Sequence, residues 1–575
     1  MVDRNICLAF VSGIERLSAW ADLLDQINVF PVADSDTGRN LVMSLSPLRR
    51  LNENPEKMIQ QLLFSACGNS GNIAAHYFSG FLTLNSSKDL CHAAKLGKEY
   101  AWKAIGNPRP GTMLNVFDAL SDLLSSDSRL DQHRIFKIID HLTKTVWETS
   151  DMIPELKEAG VVDSGALGMF IFFEGFFHRL MENETRFVPV TERFKNKVTV
   201  SESFKSKRTE GYCIDVVIDP DINSKEMVSQ IAGYGESMVS TEDDDLVKIH
   251  IHARNKDALR NKIDSLGRIV DWSEENIGRQ AEGFGQQKNR YPIHIMTDAA
   301  GSLTRQDSKR LQITLLDSYI LTDKSCYPET LMDNSQIYFL LRKGQKVTTS
   351  QASVFERHQN YQSALSRYER VLYLCTGSVF TGNYAVAEAW KKADDLDDRF
   401  TVIDTGAASG RLAAMVLAVA RYAENTDDPQ AVIHYARSAV ENSHEYIFMD
   451  CLKYLAAGGR LSKSSAFFGD MFHVKPIITP RAEGAKKVGT AKNTKGQIRF
   501  AMEKLSRFDE KEVISFIMLE YSDNRQWVID NVKAKIQKKY PFTEIILQPL
   551  SLTSGVHMGP GTWAVAFMTE KVKNE

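Results

Sequence analysis

From Asn5 to Ile27 apolar residues recur at Ile6, Phe10, Ile14, Leu17, Ala21 and Leu24, the spacing of one buried stripe on a helix. The same period returns over 55–84, 87–105, 112–125, 133–150 and 165–183, and strand-like alternation is almost absent before residue 200. The pattern predicts an all-helical domain over residues 1–192. Residues 194–212, FKNKVTVSESFKSKRTEGY, are polar, basic and Ser-rich and read as a linker. Beyond it Cys213–Ile218 and Leu246–Ile251 read as strands and 224–233 and 256–266 as helices, a small α/β domain over 193–287. A second boundary lies at 283–292. After it the β-rich runs PIHIMTD, RVLYLCTGS, RFTVIDTG, VISFIMLEY, TEIILQPLS and TWAVAFM alternate with helical stretches, which predicts largely parallel α/β sheets over 288–575.

Composition narrows the class. The 575 residues are 43% hydrophobic and 25% charged, the balance of a chain that builds its own core. Lys and Arg total 70 against 73 Asp and Glu, a net charge of −3, which removes the electrostatic case for a nucleic-acid partner. Seven scattered cysteines read as reduced thiols. The opening MVDRNICLAFVSGIER is interrupted by Glu15 and Arg16 and does not read as a signal peptide. The longest apolar run, Ala166 to Phe173, stops at Glu174, well short of the ~20 residues that cross a bilayer. The expectation is a cytoplasmic protein with at most peripheral membrane contact.

Residues 28–40, NVFPVADSDTGRN, set Asp34 and Asp36 two apart in a turning loop between Pro31 and Gly38. Both carboxylates can converge there on one hard cation, with Thr37 and Asn40 as neutral partners. Taken alone, the pair reads first as solvated acids opening a helix. The turn Cys67-Gly68-Asn69-Ser70-Gly71-Asn72 precedes a helix, and its amides can cradle phosphate. Pro110-Gly111-Thr112-Met113 and Val162-Asp163-Ser164-Gly165-Ala166-Leu167-Gly168 are further Gly-bearing turns at helix starts; such loops can ring one end of a bundle. No GxxxxGK[ST] stretch occurs, so a Walker-type phosphate loop is excluded.

In this order and spacing, NVFPVADSDTGRN, GNSG, PGTMLNVFDAL and GVVDSGALG resemble the nucleotide-binding L domain of dihydroxyacetone kinases, closest to the version in bacterial fatty acid kinases. The resemblance implies an all-α barrel of antiparallel helices that holds ATP through two magnesium ions. It implies Asp34 and Asp36 as magnesium ligands and catalytic residues, with Thr37 and Asn40 beside them. Asn69, Ser70 and Gly71 would meet phosphate, and Thr112, Asp163 and Gly165 would line the nucleotide pocket. Two positions depart from the family: Ser35 stands where Gly is usual, and Arg39 where a small residue is common. Some relatives use a third, upstream Asp; Asn28 is the nearest polar residue here.

Lys248-Ile249-His250-Ile251-His252 places two imidazoles on one strand face. With Cys213 from a neighbouring strand they could hold zinc; the alternative is a solvated His pair and a core thiol. The segment resembles the central domain of fatty acid kinases, which carries a Cys and a similar His-x-His, and the resemblance implies a metal site.

Past residue 290 the polar turns Thr297-Asp298, Thr348-Thr349-Ser350-Gln351, Cys375-Thr376-Gly377-Ser378, Gly458-Gly459-Arg460-Leu461-Ser462 and His557-Met558-Gly559 lie at strand or helix ends, where ligands sit in open α/β sheets. Each alone reads as a cap or surface turn. Together they resemble the DegV family of fatty-acid-binding proteins, which clamp one acyl chain in an apolar tunnel between two α/β subdomains. A carboxylate in an apolar slot needs several donors to offset its desolvation. The resemblance implies Thr349 and Ser378 on the carboxylate with Ser350 beside them, Arg460 supplying positive charge at the tunnel mouth and in catalysis, and His557 completing the network. Ala299 departs from the Ser usual after Asp298.

The kinase and lipid-carrier halves, usually separate chains in those families, are joined here. The combination implies ATP-dependent phosphorylation of a bound long-chain fatty acid to an acyl phosphate for an acyltransferase. Fusion makes docking intramolecular, at an effective concentration that can reach the millimolar range; a homodimer exchanging partners in trans is the alternative. Two other functions stay open: a non-catalytic fatty-acid-binding or regulatory protein, and a glycerone-type kinase acting on a small hydroxylated substrate.

Overall fold

The stripe that begins at Ile6 is buried along α1 (Arg4–Ala19) and ends at Trp20, where the chain turns into α2 (Ala21–Gln26), so the one helix expected over this stretch is two. The computed structural model describes residues 3–31, 33–51, 55–84, 86–105, 108–125, 130–181, 187–205, 211–243, 246–277, 291–323, 325–457, 474–509 and 512–571. They fall in two units, Met1–Gln286 and Gln287–Glu575.

In the first unit, α3 (Thr37–Leu45), α4 (Pro55–Ser65), α5 (Gly68–Phe81), α6 (Leu90–Lys103), α7 (Met113–Leu124), α8 (Gln132–Met152), α9 (Pro154–Ala159) and α10 (Ser164–Leu180) follow. The helical stretch expected over 55–84 divides at Ala66–Cys67 because Gly68 takes φ +60°, a conformation that suits glycine and stops α4 from continuing. The apolar run of α10 is a core helix packed along α1. Phe10 meets Phe172 and Phe176 at ring-centroid distances of 6.4 and 5.1 Å, and Phe78 meets Phe172 at 4.6 Å. The charges that interrupt the apolar runs in sequence are partners in this core: buried Arg16 pairs with buried Glu174, which Arg193 also reaches at 3.0 Å. The expected linker is anchored at its start. Phe194 is buried against Phe170, and the Lys197 carbonyl accepts the Val162 N–H.

β1 (Tyr212–Pro220), β2 (Glu236–Asp243), β3 (Leu246–Ala253) and β4 (Gly267–Asn276) form an antiparallel sheet in the order β2-β3-β1-β4. Only the two central strands are legible as alternation; the polar edge strands β2 and β4 lack it. Ile214, Val216, Ile249 and Ile251 pack on the helices Ser224–Ile231 and Lys256–Asp264. The opposite face carries Cys213, Asp215, Lys248, His250 and His252, and Lys248 on it is buried against the C-terminal end of α4.

In the second unit, β5 (His294–Asp298), β6 (Thr314–Leu316), β10 (Val371–Cys375) and β11 (Phe400–Asp404) make a parallel sheet, order β11-β10-β5-β6. β7 (Tyr319–Leu321), β8 (Cys326–Pro328) and β9 (Thr348–Ser350) form a small antiparallel sheet. The largest sheet, β14-β13-β12-β17-β15-β16, joins β12 (Ser443–Phe448), β13 (Lys475–Arg481), β14 (Gly484–Ala491), β15 (Glu512–Tyr521), β16 (Glu544–Pro549) and β17 (Trp563–Lys571). Only its β15–β16 pair is parallel, which corrects the expectation of largely parallel sheets: β13 and β14 are a hairpin, and β17 returns between β12 and β15. The helix Ser409–Ala423 is buried between the parallel and the mixed sheet. None of the helices among the described residues is long and apolar enough to cross a membrane.

Candidate functional sites

Asp34 and Asp36 lie in the turn between α2 and α3, each 6% exposed. Burial, and then the neighbouring Asp36, pushes the Asp34 carboxyl well above its ordinary range, with Arg39 pulling the other way. Two buried carboxylates that repel each other fit a hard divalent cation, whose charge would remove both costs. Ser35 adopts φ +56° between them, a left-handed backbone that glycine takes without strain. The Asn28 amide donates to Asp34 Oδ1 at 2.5 Å and accepts from Ser164 Oγ at 3.4 Å, which ties the turn to the start of α10. Thr37 Oγ1 and Ser70 Oγ stand 3.4 Å apart, joining the first turns of α3 and α5. Asn40 covers Gly68, where a Cβ would sit 2.2 Å from Asn40 Nδ2, and a Cβ at Gly71 would meet Ser44 Oγ at 2.0 Å.

At α10, Asp163 caps the helix through Ala166 N–H at 2.7 Å, and burial pushes its carboxyl up to about 7. A Cβ at Gly165 would stand 3.7 Å from Ser70 Oγ and 2.6 Å from Met113 Cε, so the starts of α5, α7 and α10 meet there. Thr112 caps α7 through Leu114 N–H at 3.5 Å. The fold thus brings Asp34, Asp36, Thr37, Asn40, Ser70, Gly71, Asp163 and Gly165 to one end of the helices. Asp25, missed in the sequence, accepts the Gly38 and Arg39 N–H groups at 2.7 and 3.3 Å and caps α3 from α2; no local spacing announces it.

Across the β1–β3 register Cys213 faces His252 and Asp215 faces His250. Ligand atoms of Cys213, His250 and His252 lie within 4.8 Å of one another. His250 is fully buried, its Nδ1 is 3.1 Å from Asp215 Oδ1, and its Nε2 has no hydrogen-bond partner. Burial, then His250, lowers His252 to about 3, so it is neutral and able to ligate; burial raises the Cys213 thiol. An orphaned buried imidazole nitrogen beside a thiol and a neutral imidazole fits a zinc ion, with Asp215 orienting His250. This group adjoins the α5 turn: Gly68 N–H donates to Asp215 Oδ2 at 3.4 Å, and Asn69 Nδ2 is 3.5 Å from His252 Nε2.

In the second unit a cavity of about 120 Å³ opens among Thr349, Ser350, Gln351, Thr376, Thr381, Asn383, Ser409 and His557, with Phe380, Ile447, Leu455, Ile478 and Met558 supplying apolar wall. Thr349 Oγ1 and His557 Nε2 are 3.1 Å apart. Ser378 is a correction. It is exposed, its N–H donates to Asp404 Oδ1 at 3.0 Å, and it does not line the cavity, whereas Thr376 and Thr381 of the same turn do. The turn after β10 curls so that its tip faces solvent and its flanks face the cavity; a Gly-bearing loop gives no sequence signal of which hydroxyl turns inward. Arg460 lies outside the described residues.

Three family models match this chain: the DAK2 domain over residues 31–178, the FakA-like middle domain of fatty acid kinases over 209–284, and the DegV family over 292–570. Among curated proteins it is similar to an uncharacterized protein of Staphylococcus saprophyticus, 30% identical over 47% of this chain and 54% of the relative. It is also similar to protein YloV of Bacillus subtilis, 27% identical over 50% of this chain and 57% of the relative. The chain thus spans about half the length of the curated relatives it matches. Among solved structures, a DegV family protein from Thermus thermophilus described as fatty-acid-binding matches at 23% identity and a TM-score of 0.44, covering 48% of this chain and 99% of that one. DegV of Bacillus subtilis, described as a fatty acid binding protein, matches at 20% and 0.44, covering 49% and 100%.

Proposed function

In a chain that joins a DAK2 domain, a FakA-like middle domain and a DegV domain, we propose a kinase that transfers the γ-phosphoryl group of ATP to the carboxylate of a fatty acid. The observation that carries the reading is the buried pair Asp34 and Asp36, gathered with Thr37, Ser70 and Gly165 where helix starts converge. Helix N-termini and their hydroxyls favour phosphate, and the two acids favour its counter-cation. Asp34 and Asp36 would hold magnesium, which when bound neutralises triphosphate charge. Asn28 and Asp25 keep that turn in place from behind.

The acid would sit in the second unit's cavity, its carboxylate taking donors from Thr349 and His557, with Ser350 beside them and Arg460 as the source of positive charge. An ionised carboxylate oxygen attacks the γ-phosphorus, the bond to the β–γ bridging oxygen breaks, and ADP leaves with that oxygen's electrons. No proton has to be removed, so the residues serve to position and to stabilise charge. Cys213, His250 and His252 would bind zinc beside the phosphate turn and hold Asn69 and Gly68 in register through His252 and Asp215. The acyl phosphate would pass to an acyltransferase.

The test is acyl hydroxamate formation from palmitate, ATP and hydroxylamine by the purified chain. The reading expects product that needs all three reagents and falls at least about 100-fold in Asp36→Asn. Palmitate binding without any hydroxamate would favour a lipid-binding protein instead.

A further inference from the structure

Behind the cavity wall lies a buried carboxylate that the proposed reaction leaves unused. Asp298, at the end of β5, is fully buried, and both its oxygens are engaged. Oδ1 accepts from Arg357 Nη1 at 2.9 Å, Tyr373 OH at 2.8 Å and Asn383 Nδ2 at 3.0 Å; Oδ2 accepts the Thr376 N–H at 2.8 Å. Arg357 is itself buried, so the pair is charge-compensated and firmly held. Two of the four donors, Thr376 and Asn383, line the cavity. The Thr376 side chain is the telling one: it is 3% exposed, and its hydroxyl has no hydrogen-bond partner. A buried hydroxyl left without a partner costs free energy, which a ligand acceptor in the cavity would recover.

We propose that Thr376 is a further specificity-determining residue, donating its hydroxyl to the acid head of the bound lipid, and that Asp298 is its positioning residue. Asp298 pins the Thr376 backbone by its N–H and fixes which amide atom of Asn383 faces the cavity. Thr376 takes the part that the family resemblance implies for Ser378, which is exposed. The inference rests on the cavity being the acyl site.

The experiment measures binding of palmitate and of hexadecanol to the full chain by calorimetry. Thr376→Val, which keeps the shape and removes the hydroxyl, is expected to weaken palmitate about tenfold and hexadecanol at most about two- to threefold. Thr376→Ser is expected to recover most of the lost palmitate affinity. Asp298→Asn is expected to weaken palmitate by a similar factor, and the double variant to lose little more than either single one. Palmitate affinity unchanged in Thr376→Val, or both ligands weakened equally, overturns the role of Thr376. Full additivity in the double variant overturns that of Asp298. Should Asp298→Asn fail to fold, the valine and serine variants still decide on Thr376. A native chain that binds neither ligand overturns the acyl reading of the cavity and this inference together.

Discussion

Glu329 shows what a single buried carboxyl does to this molecule. It is 3% exposed beside the cavity wall, where Oε2 accepts the Thr553 N–H at 2.8 Å and Oε1 has no partner. Burial raises it from 4.5 to about 8, against the pull of Thr553, so the folded state holds the proton more tightly than the unfolded chain. Its contribution is therefore complete below about pH 4.5 and is lost as pH rises through 8. Glu329→Gln, which cannot ionise, should be the more stable protein at about pH 9 and show no such gain near pH 4.5, a difference on the order of a few kcal/mol in denaturant unfolding. At this scale the sequence was partly legible. The acids and hydroxyls of the first unit's turns announced themselves by Gly-bearing spacing. Asp25 did not, because its partners lie 13 and 14 residues away; Asp298 and Thr376 stood in separate polar turns, and only the fold joins them across 78 residues.

Among elements, the most informative contact is Lys248 on β3 at the C-terminal end of α4. Its ammonium donates to the carbonyls of Leu63 at 3.3 Å and Phe64 at 3.1 Å, and also to Ala66. Those are the carbonyls that a helix end leaves unpaired, and a cation there also meets the negative end of the helix dipole. The lysine ties the sheet with Cys213, His250 and His252 to the junction that leads into the α5 turn. Lys248→Met keeps the apolar stem and strips the donors; it should cost about 2–4 kcal/mol, read by urea unfolding, with faster hydrogen exchange at the first turn of α5. Elements with strong one-sided periods were legible: α7, α8 and α10 fall within a few residues of expectation. Boundaries set by a single residue were not, as at Trp20 and Gly68. Nor were β2, β4 and the antiparallel pairing of the largest sheet, since edge strands carry little alternation and strand direction follows connections that local pattern does not encode.

At the scale of the whole molecule, a cluster of buried acids and a cavity share one chain. One places buried carboxylates and helix starts where a metal-bound triphosphate would lie; the other places hydroxyls and an imidazole at the polar edge of an apolar cavity. The residues of both groups stand in motifs that the sequence shows in order, whereas the depth of burial of Asp34 and Asp36 came from packing. The proposal that the acid cluster and the cavity serve one reaction is tested most directly by palmitate-stimulated ADP release from the purified chain, compared with Asp34→Ala and with Thr349→Val. Stimulation is expected in the native protein, none with the first substitution, and a raised palmitate requirement with the second. ADP release that ignores palmitate, or that survives loss of Asp34, would contradict it.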